Sequence, residues 1–117
     1  MSSIKIERLN HAFVEEISYI LHNEVKDKDI KFVTITGCDI SSDLSYAKVY
    51  FTVLDDSRKK ETLEALNNAK GFIRTNLSQR VDIRHTPELK FIYDTSIEYG
   101  NKIEDIIDSI HEKENNQ

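Results

Sequence analysis

One cysteine, one proline and three glycines occur in the 117 residues. The single Cys38 excludes an internal disulfide and any cysteine-rich zinc site, which fits a reducing compartment. With 38% apolar and 32% charged residues, so little proline and glycine excludes fibrous, low-complexity and disordered chains and leaves an ordered, helix-rich one. No uninterrupted apolar run approaches the roughly 20 residues of a spanning helix, and the N-terminus lacks the apolar core of a signal peptide. A cytoplasmic protein with no membrane attachment is expected. Glycine-rich phosphate loops, a serine elbow and a dinucleotide fingerprint are all missing. The histidines offer no ligand spacing: His11 and His22 share a helical face but stand about 16 Å apart along it, and His85 and His111 have no ligand-spaced partner. Cys38 falls in a strand pattern with no neighbour to lower its pKa. Glu15 and Glu16 diverge on a helix, and Asp55 and Asp56 mark a turn or cap, so neither pair makes an acid/base couple. The expectation is therefore no enzyme, no metal and no cofactor.

What is present is a strongly uneven charge. The net value is −5, yet residues 1–57 carry −4, residues 58–90 carry +4 and residues 91–117 carry −5. A local field screened over about 8 to 10 Å matters more to a bound polyanion than the molecular total. At this length one domain is expected, burying about two thirds of the surface of its unfolded chain.

Apolar residues recur at helical spacing from Ile6 through Leu9, Phe13, Ile17, Ile20 and Leu21, an amphipathic helix of about five turns. The β-branched stretch FVTITGCDI, the turn SSDLS and the alternating YAKVYFTVL form a hairpin pattern, with Ala47, Val49, Phe51 and Val53 on its apolar side. Asp55, Asp56 and Ser57 supply acceptors for a helix start, although Arg58, Lys59 and Lys60 then occupy a first turn where the helix dipole disfavours cations. ELKFIYD reads as a third strand. Thr95 with Glu98 makes a capping box for a last helix carrying Ile103, Ile106, Ile107 and Ile110, and residues 111–117 should fray.

The stretch LEALNNAKGFIRTNLSQR is helical except for Gly71, which costs a helix about 1 kcal/mol relative to alanine. Leu63, Leu66, Ile73 and Leu77 form one stripe, and on an uninterrupted helix Phe72 points roughly 110° away from it. A break at Gly71 that re-phases the second half would bury Phe72. Asn67, Lys70 and Arg74 form a polar ridge along the flank of that stripe, and Arg80 and Arg84 follow where the helix runs out. A break would also free amides able to hold an anion, with the small Ala69 and Gly71 permitting close approach. These residues can converge on a phosphate chain; a solvated basic flank is the other reading. Tyr46, Lys48 and Tyr50 on the wetter sheet face are either an aromatic platform for bases or good strand formers without a further role.

The helix, strand, strand, broken helix, strand order resembles the KH RNA-binding architecture, with the AKG of Ala69, Lys70 and Gly71 where that architecture has its GxxG turn. This triplet, SSDLSYAKVYF (Ser41 to Phe51), AKGFIRTNLSQRVDIRHTPELKFIYD (Ala69 to Asp94) and the final isoleucine helix together resemble the bacterial ribosome-binding factor A family over residues 4–110. The resemblance implies an α+β fold: a three-stranded sheet with helices packed on one face, KH-like of type II, with a kinked A-x-G helix pair in place of GxxG, forming a single domain over residues 1–110. It implies a factor that binds the immature small ribosomal subunit and its ribosomal RNA, assists maturation of the RNA 5′ end, and catalyses nothing. Its partners would be small-subunit ribosomal RNA and the free small subunit, with ribosomal proteins or assembly GTPases as further ones, and the chain would be a monomer. The resemblance places Ala69, Lys70 and Gly71 at the kink and Arg74, Arg80 and Arg84 at basic positions; with Asn67 added from its place on the same flank, these are the expected RNA-binding residues. The overall negative charge departs from a simple RNA binder. A protein-interaction module working through the acidic final helix and the open sheet face, without RNA, stays open as the alternative.

Overall fold

The computed structural model describes residues 4–30 and 32–96. In chain order these form α1 (Ile4–Asn23), β1 (Val33–Ile40), β2 (Tyr46–Val53), α2 (Lys59–Arg80) and β3 (Glu88–Tyr93). Short 3-10 turns at Lys28–Ile30 and Asp56–Arg58 precede β1 and α2. The stripe read from the sequence is the one α1 buries, since Phe13, Ile17, Ile20 and Leu21 are all in the core. On the sheet, Ala47, Val49 and Phe51 of β2 and Leu89 and Phe91 of β3 face the same core, where α2 contributes Leu66, Ile73 and Leu77. Two helices thus pack on a three-stranded mixed sheet.

Strand order is β1-β2-β3, with β1 antiparallel and β3 parallel to β2. A parallel neighbour requires a crossover connection of a dozen or more residues, and α2 is that crossover. This settles the position of the third strand, which alternation alone leaves undecided. In β1, the buried Ile35 and Ile40 are separated by an odd number of positions, so regular pleating would place them on opposite faces. A bulge between Ile35 and Gly37 takes up the extra residue and returns Ile40 to the core side.

The β1–β2 turn is organised by Asp43, whose carboxylate accepts from the Ser45 amide at 3.0 Å and the Ser41 hydroxyl at 2.8 Å. Hydrogen bonds from Ser45 and Ser41 hold the Asp43 carboxyl at about 2. Leu44 in the same turn has φ 62°, a left-handed conformation that leucine rarely adopts.

Two local expectations change. The Asp55 side chain accepts from the Ser57 amide, but it caps the 3-10 turn; α2 itself has no side-chain cap. The basic first turn is partly engaged, because Arg58 pairs with Asp29 and the Lys59 Nζ lies 4.3 Å from the Tyr93 ring centroid. Past β3, the Asp94 carboxylate accepts from the Ser96 amide. Glu98, the isoleucine helix and the tail over 111–117 lie outside the described residues.

The expected break at Gly71 is absent. Residues Lys59–Arg80 make one continuous helix of 22 residues, Gly71 has no positive φ, and Phe72 stays 49% exposed. The stripe of Leu66, Ile73 and Leu77 runs in phase through the glycine, so the core already receives what re-phasing would have supplied. Consequently there is no helix pair here and no second helix start with free amides; the kinked A-x-G arrangement gives way to an uninterrupted rod.

Candidate nucleic-acid interface

Gly71, Arg74, Thr75 and Ser78 share the outer face of α2, as a helix repeat of 3.6 residues requires. The segment leaving α2 folds back beside that face, and together they enclose a shallow groove of about 420 Å³ completed by Arg84, His85 and Thr86. One side chain fixes this geometry. Arg74 donates from Nη2 at 2.7 Å and from Nε at 3.2 Å to the Thr86 carbonyl, pinning the connecting segment against the helix. Arg84 is exposed and makes no ion pair among the described residues. The groove is thus lined by two guanidinium groups, an imidazole and hydroxyls, with no carboxylate of the described residues in its wall.

Of the residues picked out in the sequence, Gly71, Arg74 and Arg84 come together here. Asn67 is exposed one turn earlier on the same helical face, and Lys70 is half-buried beside it. Ala69 turns inward and packs against the core, away from any ligand. Arg80 also leaves the group: on the opposite side of the helix, its guanidinium lies 3.4 Å from Glu16, 3.5 Å from Glu24 and 4.1 Å from the Tyr19 ring centroid. It ties α2 to α1. His85 is the groove-lining member that sequence reading missed; its one signal was its place directly after Arg84 in the basic third of the chain.

Gly71 has no internal purpose that the fold reveals. A Cβ built there meets nothing within 4 Å, so neither close packing nor backbone strain requires glycine. Its effect is to leave bare backbone facing the groove.

Other chemistry finds little support. Burial, then the charge of neighbouring Asp39, pushes the Cys38 thiol up to about 12, so it stays protonated at neutral pH and is a poor nucleophile. Among the described residues no group of His, Cys, Asp or Glu is placed to hold a metal ion, and no helix is long and apolar enough to cross a membrane.

The arrangement defines a class: a small α+β domain whose single crossover helix presents a cationic, glycine-floored groove on its outer side. The sequence model of the family described as ribosome-binding factor A matches residues 5–107. A ribosome-binding factor A from Staphylococcus carnosus (strain TM300) is 47% identical over 115 residues, covering 97% of this chain and all of that protein. The chain belongs to the ribosome-binding factor A family. Among solved structures, the solution NMR structure of a Thermotoga maritima protein described as a putative ribosome binding factor A superposes with a TM-score of 0.70 at 28% identity, over 82% of this chain and 92% of that one. The crystal structure of ribosome-binding factor A from Thermus thermophilus shares the fold with a TM-score of 0.70 at 22% identity, over 75% of this chain and 94% of that one. A Thermus thermophilus homology model fitted into the cryo-EM map of a 30S complex also shares it, with a TM-score of 0.60 at 24% identity, over 81% of this chain and 97% of that one.

Proposed function

We propose that this chain is a cytoplasmic, non-catalytic assembly factor that binds the immature small ribosomal subunit by gripping ribosomal RNA backbone in the groove between α2 and the segment before β3. The observation that carries this reading is the groove itself: Arg74, Arg84 and His85 line it with the bare backbone of Gly71, and no carboxylate of the described residues is in its wall. Family membership supports it, as does the relative fitted into a 30S complex. Arg84 and Arg74 contact phosphate, Gly71 allows a sugar-phosphate strand to lie against the helix, and Asn67 and Lys70 extend the contact along α2. Arg80 serves the fold. Assistance to maturation of the small-subunit RNA 5′ end follows from the family, and assembly GTPases or ribosomal proteins are further partners in this reading.

Phosphate contacts release counterions, so affinity must fall as salt rises, with a slope of log affinity against log salt of about −0.7 per contact on a single strand. Filter binding to small-subunit RNA between low and physiological salt should therefore give a slope of about −2 to −3.5 for three to five contacts. An affinity indifferent to salt would contradict the reading and favour a protein-interaction module.

Gly71→Ala separates fold from function. Alanine is the better helix former by about 1 kcal/mol and meets no obstacle, so the variant should unfold at higher urea than the parent. It should nevertheless bind RNA more weakly, because the methyl group stands between helix and strand. A variant that gains stability and keeps full affinity would remove Gly71 from the interface.

A further inference from the structure

We propose that a cavity of about 710 Å³ receives an unstacked nucleobase of the same RNA whose phosphates lie in the Arg74–Arg84 groove, making the protein a reader of unpaired rather than duplex RNA. The inference rests on the phosphate-groove reading and adds to it.

The cavity lies between the N-terminal half of α1, the β1–β2 turn and the segment after α2. Leu9, Ala12, Leu44 and Ile83 give it an apolar floor, and Lys5, Arg8 and Arg84 stand around it against the single carboxylate of Asp82. An apolar floor with few polar groups at the lip is what the flat face and polar edge of a base require, and the volume falls within the about 300–1,000 Å³ usual for small-ligand sites. Asp82 and the Ser42 hydroxyl supply edge partners, an acceptor for an exocyclic amine and a group that both donates and accepts.

One feature connects this cavity to the phosphate groove, and a second shapes its floor. Arg84 lines both it and the phosphate groove, so a strand held there by its backbone passes the cavity mouth within a residue's reach. Leu44 adopts φ 62°, where glycine or asparagine would be unstrained, and it thereby presents an aliphatic side chain to both cavity and core. The cations favour a polyanion over a neutral peptide. A base inside a duplex cannot enter, so occupancy selects single strands, loops and ends.

The test compares three probes on the full-length chain: a single-stranded small-subunit RNA oligonucleotide, the same strand with one abasic position moved along it, and the strand annealed to its complement. The single strand should bind at least tenfold tighter than the duplex. One abasic position should weaken binding about five- to hundredfold, the range for loss of one base-stacking contact. Plugging the cavity from either wall, with Ser42→Phe on the exposed turn or Ala12→Phe on α1, should abolish the abasic effect while leaving the salt slope unchanged. Equal binding of all three probes with the slope intact would overturn the base site and leave the phosphate groove standing. No salt-dependent binding to any probe would overturn both. If a peptide of residues 97–114 competes with RNA and Ser42→Phe removes that competition without any abasic effect, the cavity belongs to an acidic protein segment and the base site is overturned.

Discussion

Arg84→Glu should lower affinity for small-subunit RNA by about 10- to 100-fold while leaving the urea unfolding midpoint unchanged. The magnitude follows from a charge-assisted hydrogen bond, about 1.5–3 kcal/mol, replaced by a carboxylate that repels phosphate. Stability should not respond, since Arg84 is exposed and forms no ion pair among the described residues. The salt slope should also become shallower by about 0.7, the signature of one lost contact on a single strand. Arg80→Glu is the informative control. It places a third carboxylate against Glu16 and Glu24 and removes the stack on Tyr19, so it should reduce stability, by about 1 kcal/mol or less for a partly exposed network, and leave the salt slope alone. If the two variants exchanged these phenotypes, RNA would be gripped on the α1 side of α2 instead.

Phe51→Ala should destabilise the fold by about 3–5 kcal/mol, a large share of the roughly 5–15 kcal/mol that holds a domain together. Phe51 is fully buried on the central strand, and meets Tyr93 of β3 edge to face at 5.6 Å between ring centroids and 88° between planes. Removing the ring opens a cavity where no single neighbour can collapse, and it takes away the aromatic pair joining β2 to β3. Urea unfolding by circular dichroism reads the result: a midpoint shift at unchanged slope is expected. A loss below about 1.5 kcal/mol would mean that the sheet does not depend on this contact.

Much of this architecture was legible because it depends on local periodicity. The stripe of Phe13, Ile17 and Ile20 and the alternation of Ala47, Val49 and Phe51 each encode a face that tertiary structure then buries. Gly71 shows where local reasoning stops. Its intrinsic penalty is small beside a 22-residue helix that buries Leu66, Ile73 and Leu77 in phase on both sides of it, and the exposed Phe72 records that no re-phasing occurred. Arg80 escapes sequence reasoning for a different reason: its partners Glu16 and Glu24 lie 64 and 56 positions away, beyond any helical wheel. The groove itself was half visible. Arg74 and Arg84 stand out by their charge, whereas their convergence depends on the Thr86 carbonyl, which every residue type carries and no sequence pattern marks.

The chain between α2 and β3 is fastened at both ends, by Arg80 to the first helix and by Arg74 to the Thr86 carbonyl. On the proposed reading, an RNA strand arriving there would meet a socket already set, with little order left to impose on the protein. Association should then be governed by encounter and electrostatic steering rather than by refolding of the loop, and the entropy of capture falls mainly on the nucleic acid.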